Sequence, residues 1–123
     1  MGIQIKIEGN ALIARLDCEI DHLSAERLRG QIDAAFDKSS CRHMVLDFSS
    51  VNFMDSSGIG MIIGRYKNAE KRGGHLALAA MNNEMGRLFQ ISGLAKIITR
   101  AVTVEDALED LRAPNSGAGR TSI

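Results

Sequence analysis

Short apolar segments with the two-residue period of β-strands alternate along this chain with longer segments of helical spacing, and this alternation constrains the fold more than any other feature. Residues 3–7 and 11–16 are strand segments separated by a Glu8-Gly9-Asn10 turn sequence, which predicts a hairpin. Three more strands are expected at residues 43–48, 75–80 and 97–98. The order β-β-α-β-α-β-α-β-α is typical of an α/β domain with a mixed, mainly parallel sheet, an N-terminal hairpin and about four helices. The pattern does not decide whether the helices cover one face of the sheet or both.

Capping residues and glycines indicate where the helical segments begin and end. The expected N-caps are Asp21 or Ser24, Asp55, Asn82 or Asn83, and Thr103. The first helix should end at about residue 38, and the second should run over about residues 57–71 and stop before Gly73-Gly74. The apolar residues that share one face of the second helix predict its buried stripe: Ile59, Ile62, Ile63, Tyr66 and Ala69.

The length and the charge balance fit one soluble domain. The 123 residues predict a domain over 1–112 followed by a small polar segment, 113–123, which we expect to be a flexible tail. The 15 basic and 15 acidic residues balance, so the positive surplus that phosphate-backbone binding needs is missing, and no direct nucleic-acid partner is expected. No apolar segment approaches the ~20 residues of a membrane span, and no leader-like segment opens the chain. We therefore expect a cytoplasmic protein with no membrane partner.

The cysteines and histidines carry no sign of metal or redox chemistry. Cys18 and Cys41 are too few for a disulfide scaffold, and we expect both to be free thiols. No Cys or His pair has metal-ligand spacing, so neither a metal nor another cofactor is expected.

The most informative segment is Asp55-Ser56-Ser57-Gly58, where a strand end turns directly into a helix. With Asp55 as N-cap, both serines lie in the first helical turn, beside free backbone N–H groups and the positive end of the helix dipole. Such a position tolerates an anion, and a phosphoryl group there would bring about −1.5 to −2 charges. The same four residues also fit a capped turn with no further role.

Two other chemistries share part of their sequence pattern with this segment. The spacing Gly58-x-Gly60-x-x-x-Gly64 is similar to a dinucleotide fingerprint, but the acidic residue expected about 20 positions later for the ribose is missing. Gly60 and Gly64 lie one helical turn apart, which favours a face where a partner approaches the backbone closely. A serine hydrolase elbow needs Gly-x-Ser-x-Gly, which is absent, and no histidine has a spacing that links it to Ser57. Nucleotide binding stays open as an alternative, and a hydrolase is disfavoured.

Residues 51–67, VNFMDSSGIGMIIGRYK, resemble the phosphorylatable loop and following helix of the STAS-domain anti-anti-sigma factors, most of all the anti-sigma F factor antagonists of sporulating bacteria. Two shorter segments, Asp17 to His22 and Phe89 to Leu94, resemble the other characteristic segments of that family. The resemblance covers about residues 3–112. One departure is Cys18, which stands where the family has glycine, so a positive φ there would strain the backbone.

The resemblance implies a switch rather than an enzyme. The unmodified protein would bind an anti-sigma factor that is also a serine kinase, and the sigma factor would be freed for transcription. Phosphorylation of Ser57 by that kinase would abolish binding, and a metal-dependent serine phosphatase would reset the switch. The alternative reading within the same fold is a ligand- or nucleotide-binding STAS-like module.

The resemblance also implies which residues act. Ser57 is the expected phosphoacceptor. The expected partner-binding residues are Asp21, Ser56, Ser57, Gly58, Gly60 and Gly64. Asp55 is expected either to cap the helix or to orient the serine hydroxyl.

Overall fold

A computed structural model describes residues 2–112, and the predicted tail, 113–123, lies outside this range. The described chain forms five strands: β1 (Ile3–Glu8), β2 (Ala11–Leu16), β3 (His43–Asp47), β4 (Leu76–Ala79) and β5 (Thr99–Ala101). It also forms four α-helices: α1 (His22–Lys38), α2 (Ser56–Lys71), α3 (Asn83–Ser92) and α4 (Val104–Arg112). Every predicted helix is present within a residue or two of its expected start.

The five strands form one sheet in the order β1-β2-β3-β4-β5. β1 pairs with β2 antiparallel, and the other neighbours pair in parallel. This confirms the predicted α/β fold with an N-terminal hairpin and a mainly parallel sheet. The four parallel strands all point the same way, so their last residues define one end of the sheet, called here the carboxyl end. The opposite end, where these strands begin, is called the amino end.

Helices pack on both faces of the sheet, which settles the point that the sequence pattern left open. The apolar side chains of α1, α2 and α3 form a large core with alternate residues of the strands, among them Leu12, Leu46 and Leu78. The intervening strand residues face α4 in a smaller core, and several of them are alanines. Small side chains on that face let a single helix pack closely against the sheet.

The last strand begins later than predicted. Residues 97–98 were expected to be extended, but Gly93 adopts a φ of 83° and a 3-10 turn, Leu94–Lys96, follows it. The backbone N–H groups of Ile97 and Ile98 both donate to the Leu94 carbonyl, at 3.0 and 2.9 Å. Ile98 follows this turn, and its side chain is buried in the core. Its apolar character therefore does not indicate a strand.

The buried stripe of α2 also differs from the prediction. Its buried residues are Gly58, Met61, Ile62, Arg65 and Ala69. The predicted members Ile59, Ile63 and Tyr66 are only partly buried. The stripe is rotated because Arg65, a charged residue that periodicity would place outside, is 3% exposed and faces α1.

The backbone at Cys18 is not strained. Among non-glycine residues of the described chain, Ala80 is the one with a positive φ, at 63°. The family glycine at the position of Cys18 is therefore not required here for a left-handed turn. Cys18 is half-buried, Cys41 is buried, and both are free thiols.

The first and last described residues lie at opposite ends of the sheet. The Gly2 carbonyl accepts a hydrogen bond of 2.8 Å from the backbone N–H of Asp17, which follows β2 at the carboxyl end. Arg112 closes α4 at the amino end, where its Nη2 lies 3.8 Å from Oε2 of Glu8.

Candidate functional site

The loops that precede α1 and α2 are joined at the carboxyl end of the sheet. The N–H of Ile20 donates to the Phe53 carbonyl at 2.9 Å, and the N–H of Asp55 donates to the Ile20 carbonyl at 3.0 Å. These bonds form an isolated parallel bridge between Ile20 and Met54. The two helices therefore begin side by side, and their starts are fixed relative to each other by backbone bonds.

Asp21 is the N-cap of α1 and forms a reciprocal capping box with Ser24. Its Oδ1 accepts from the Ser24 N–H, and the Ser24 hydroxyl oxygen accepts from the Asp21 N–H, both at 2.9 Å. The backbone and side-chain hydrogen bonds from Ser24 lower the pKa of Asp21 below its usual value. Its carboxylate is exposed and charged at neutral pH, so it is free to meet a partner.

Asp55 is the N-cap of α2. Its Oδ1 accepts a hydrogen bond of 2.8 Å from the backbone N–H of Ser57. Of the two roles expected for Asp55, the cap is the one that this geometry shows. Ser56 is exposed and Ser57 is half-buried, both in the first turn of the helix.

Ser57 opens into a cavity of about 280 Å³ between α1 and α2, called here the α1–α2 groove. Its walls come from both helices: His22, Ala25, Glu26 and Arg29 from α1, and Ser57, Gly60 and Met61 from α2. Nη2 of Arg29 contacts both carboxylate oxygens of Glu26, at 2.6 and 2.8 Å. The predicted phosphoacceptor therefore lies in a groove that already holds one cation and one anion.

The three glycines predicted as one docking face do not share a face. Gly60 and Gly64 have open space where a side chain would stand, as a close-approach surface requires. Gly58 is buried, and a Cβ there would collide with the Met54 side chain and press on Ile20. The close approach that Gly58 permits is therefore to residues of this chain. The same packing counts against a phosphate cradle at this glycine.

Three groove residues of α1 were missed by the sequence analysis. His22, Glu26 and Arg29 are spaced by four and three residues, so one helical face carries all of them. That spacing was readable, but nothing in the sequence shows that this face of α1 meets the first turn of α2. Among the described residues, no hydrogen bond joins His22 to Ser57.

The other two histidines lie at the amino end of the sheet. The rings of His43 and His75 stack with centroids 5.6 Å apart. Nδ1 of His43 also accepts a hydrogen bond of 3.0 Å from the backbone N–H of His75. Burial, together with the nearby His75 and Arg42, lowers the pKa of His43. These rings belong to the packing of the strand starts, far from Ser57.

A family model for the STAS domain matches residues 2–109. The chain belongs to the STAS-domain family. The anti-sigma F factor antagonist of Paenibacillus polymyxa is 40% identical over 113 residues, which cover 90% of this chain and 97% of that protein. The anti-sigma-B factor antagonist of Bacillus subtilis is 29% identical, over 89% of this chain and 98% of its own.

The solved structures that are similar include two of SpoIIAA, one unphosphorylated and one phosphorylated. The anti-sigma factor antagonist SpoIIAA in its unphosphorylated form superposes with a TM-score of 0.77, at 29% identity over 89% of this chain and 96% of its own. The phosphorylated form of the Bacillus SpoIIAA superposes with a TM-score of 0.68, at 30% identity over 87% and 96% of the two chains. Among residues 2–112, no helix is both long and apolar enough to cross a membrane, and no group of three His, Cys, Asp or Glu side chains could hold a metal ion.

Proposed function

We propose that this STAS domain is an anti-sigma factor antagonist whose binding is switched by phosphorylation of Ser57. In the unmodified form it binds an anti-sigma factor that is also a serine kinase, and the sigma factor is released. The kinase then transfers the γ-phosphoryl group of ATP to the Ser57 hydroxyl, and the modified protein dissociates. A metal-dependent serine phosphatase hydrolyses the phosphoserine and restores the binding form.

The observation that carries this proposal is the placement of Ser57. It lies in the first turn of α2, open to the α1–α2 groove, while Asp55 holds its backbone N–H. The hydroxyl is therefore reachable by a kinase without local unfolding. The exposed Asp21 carboxylate lies on the adjoining helix start, so one partner surface can meet both residues.

The docking surface is formed by residues around this site. Its expected members are Asp21, Ser56, Ser57, Gly60 and Gly64. Gly60 and Gly64 leave α2 without side chains on one face, so a partner can pack against the helix backbone there. A phosphoryl group on Ser57 would place a hydrated dianion inside that contact. Burying an unpaired charge costs far more than the ~1.4 kcal/mol that corresponds to a tenfold loss of affinity, so release needs no change of fold.

The test is phosphorylation by a purified anti-sigma F-type kinase with ATP, followed by intact mass and phosphopeptide mapping. Wild-type protein should gain one phosphoryl group at Ser57, Ser57→Ala should gain none, and the matched control Ser56→Ala should still be modified. The Ser57→Ala variant should bind the kinase and stay bound in the presence of ATP. Modification that maps to Ser56, or saturable nucleotide binding with no modification, would contradict the proposal; the latter would favour a ligand-binding module.

A further inference from the structure

The ion pair in the α1–α2 groove is placed to respond to modification of Ser57. Arg29 and Glu26 lie one helical turn apart on α1, and both side chains line the groove with Ser57. Their side chains are 53% and 62% exposed. An exposed pair of this kind contributes little to stability, so the guanidinium can exchange its carboxylate for a more highly charged anion.

We infer that Arg29 is the intramolecular partner of a phosphate on Ser57: on modification, its guanidinium turns from Glu26 and donates hydrogen bonds to the phosphate oxygens. This inference rests on the proposed phosphorylation of Ser57. A guanidinium presents several N–H donors in one plane and pairs with a phosphate through two parallel hydrogen bonds. A phosphate also carries more charge and more acceptor oxygens than the carboxylate that it would replace.

Among the charged groups around the groove, Arg29 is the one suited to pair with a phosphate. On α1 the groups that face Ser57 are His22, Glu26 and Arg29, and on α2 the nearest charge is the capping carboxylate of Asp55. Two carboxylates would repel the phosphate, and Arg29 is the one permanent cation among these groups. Gly60, on the same wall as Ser57, has no side chain, which leaves room for the phosphate oxygens.

The consequence is that the phosphate charge is offset in part within the protein itself, and the charge that remains still opposes docking of the partner. The phosphate is held against α1, next to Asp21, instead of extending freely into solvent. Arg29 is then a positioning residue for the phosphoserine. It affects the affinity for the kinase only in the phosphorylated form of the protein.

The experiment uses full-length protein with phosphoserine placed at position 57 by codon suppression, so no kinase is needed. The second pKa of the phosphate is measured by ³¹P NMR titration; an exposed phosphoserine titrates near pH 6. Arg29→Gln should raise this pKa by about 0.5–1 unit relative to the unsubstituted phosphoprotein, and Glu26→Gln should lower it, because each removes one charge from the groove. The matched control is Arg27→Gln, whose guanidinium contacts the Cys18 sulfur on a different face of α1.

Arg27→Gln should move the phosphate pKa by less than about 0.2 unit. Equal shifts in the Arg27 and Arg29 variants would show that only long-range charge acts and would overturn the inference. Both arginines are exposed, so both variants should fold, and thermal melts of the unmodified proteins check this. Because the phosphoserine is installed without a kinase, a negative result leaves the proposed switch intact, while failure of the kinase test leaves this titration interpretable.

Discussion

Asp21 and Asp55 show how one residue type serves two purposes at this site. Each carboxylate caps a helix, and the two caps lie on loops that are hydrogen-bonded to each other. A cap needs an oxygen acceptor but not a charge, since asparagine caps helices about as well as aspartate. Replacing the carboxylate by an amide therefore separates the structural role from the electrostatic one.

We expect Asp21→Asn to fold with nearly unchanged stability but to bind the partner kinase about tenfold or more weakly, because charge pairs at interfaces contribute to affinity. Denaturant unfolding and a binding titration against the kinase measure the two effects. Asp55→Asn is the control for loss of a capping charge nearby. Equal binding losses in both variants would mean that the net charge of the surface matters and that Asp21 has no specific contact.

His43 gives the molecule a stability that depends on pH. Its pKa is lowered in the folded state from an ordinary value of 6.5, so the folded protein favours the neutral ring. The unfolded chain then binds more protons as the pH falls. The contribution is fully present above about pH 6.5 and is lost as the pH falls below it.

The free energy of unfolding should therefore decrease between pH 7.5 and 5.5, and His43→Asn should weaken this dependence. The asparagine oxygen can still accept the hydrogen bond from the His75 N–H, but it does not titrate. Denaturant melts at pH 7.5, 6.5 and 5.5 make the measurement. The same slope in both proteins would place the titrating group elsewhere.

At the scale of single residues, the sequence indicated the caps but not the burial of Gly58. Asp21 and Asp55 are readable because a cap depends on local chain chemistry. The burial of Gly58 depends on Met54 and Ile20, and Ile20 reaches it only through the bridge between two distant loops. No local pattern records such a contact, so the sequence did not reveal that Gly58 is buried.

At the scale of elements, α1 and α2 are joined by a buried arginine. Arg65 donates from Nη2 to Oδ2 of Asp33 at 3.1 Å, and Asn68 donates to Oδ1 of the same carboxylate at 2.8 Å. Nε of Arg65 lies 2.9 Å from Oδ1 but is not aligned for a hydrogen bond, so that contact is Coulombic. This cluster fixes the spacing of the two helices that form the groove.

Asp33→Ala should lower the free energy of unfolding by about 2–3 kcal/mol, because it leaves a buried guanidinium without its counter-ion. This expected loss of stability is smaller than that for a fully buried pair, because the Asp33 side chain is 31% exposed. Asp37→Ala is the matched control: Asp37 pairs with Arg72 at 3.6 Å but is 77% exposed, and its loss should cost under about 1 kcal/mol. Similar losses in the two variants would show that Arg65 finds another partner.

Substitutions at the glycines of α2 test whether protein stability and kinase binding change independently. Gly60→Ala has open space and should stabilise the helix by about 0.5–1 kcal/mol, while the added methyl group weakens kinase docking. Gly58→Ala should destabilise by about 1–3 kcal/mol, because the core around Met54 must shift. Thermal melts and kinase titrations on both variants give the comparison. Unchanged kinase affinity in Gly60→Ala would remove Gly60 from the docking surface.

Helices and strands were predicted correctly where a local sequence pattern determined them. The hairpin, the helix starts and the parallel strands follow from periodicity and capping residues. The last strand was misplaced because two consecutive isoleucines, Ile97 and Ile98, are typical of a strand. In the structure, the backbone N–H groups of both residues bond to the turn that follows Gly93. The stripe of α2 was misjudged because Arg65 is buried by an ion pair with a residue 32 positions away.

At the scale of the whole molecule, one sheet separates the proposed phosphorylation site from the amino end. The site residues follow strands at one end, and the His43–His75 pair lies where the strands begin. The α1–α2 groove is lined by helix residues alone. Under the proposed switch, we therefore expect a phosphoryl group on Ser57 to act locally.

Amide NMR spectra with and without phosphoserine at position 57 should differ in the first turns of α1 and α2. Signals of Gly9, Asn10 and Arg42, at the other end of the sheet, should stay in place. Ser57→Asp should give a smaller version of the same pattern, since a carboxylate carries less charge and fewer acceptors than a phosphate. Shifts spread across β3 and β4 would show a rearrangement of the sheet.

The opposite positions of Gly2 and Arg112 decide how this protein can be labelled or joined to another. A fluorescent protein fused ahead of Gly2 would emerge next to Asp17 and obstruct any partner that approaches Asp21. The same label attached beyond Arg112 would start at the amino end, with the length of the strands between Arg112 and Ser57. A sensor for the switch should therefore carry its reporter on the C-terminal side, and natural fusions to this domain should tolerate additions better there.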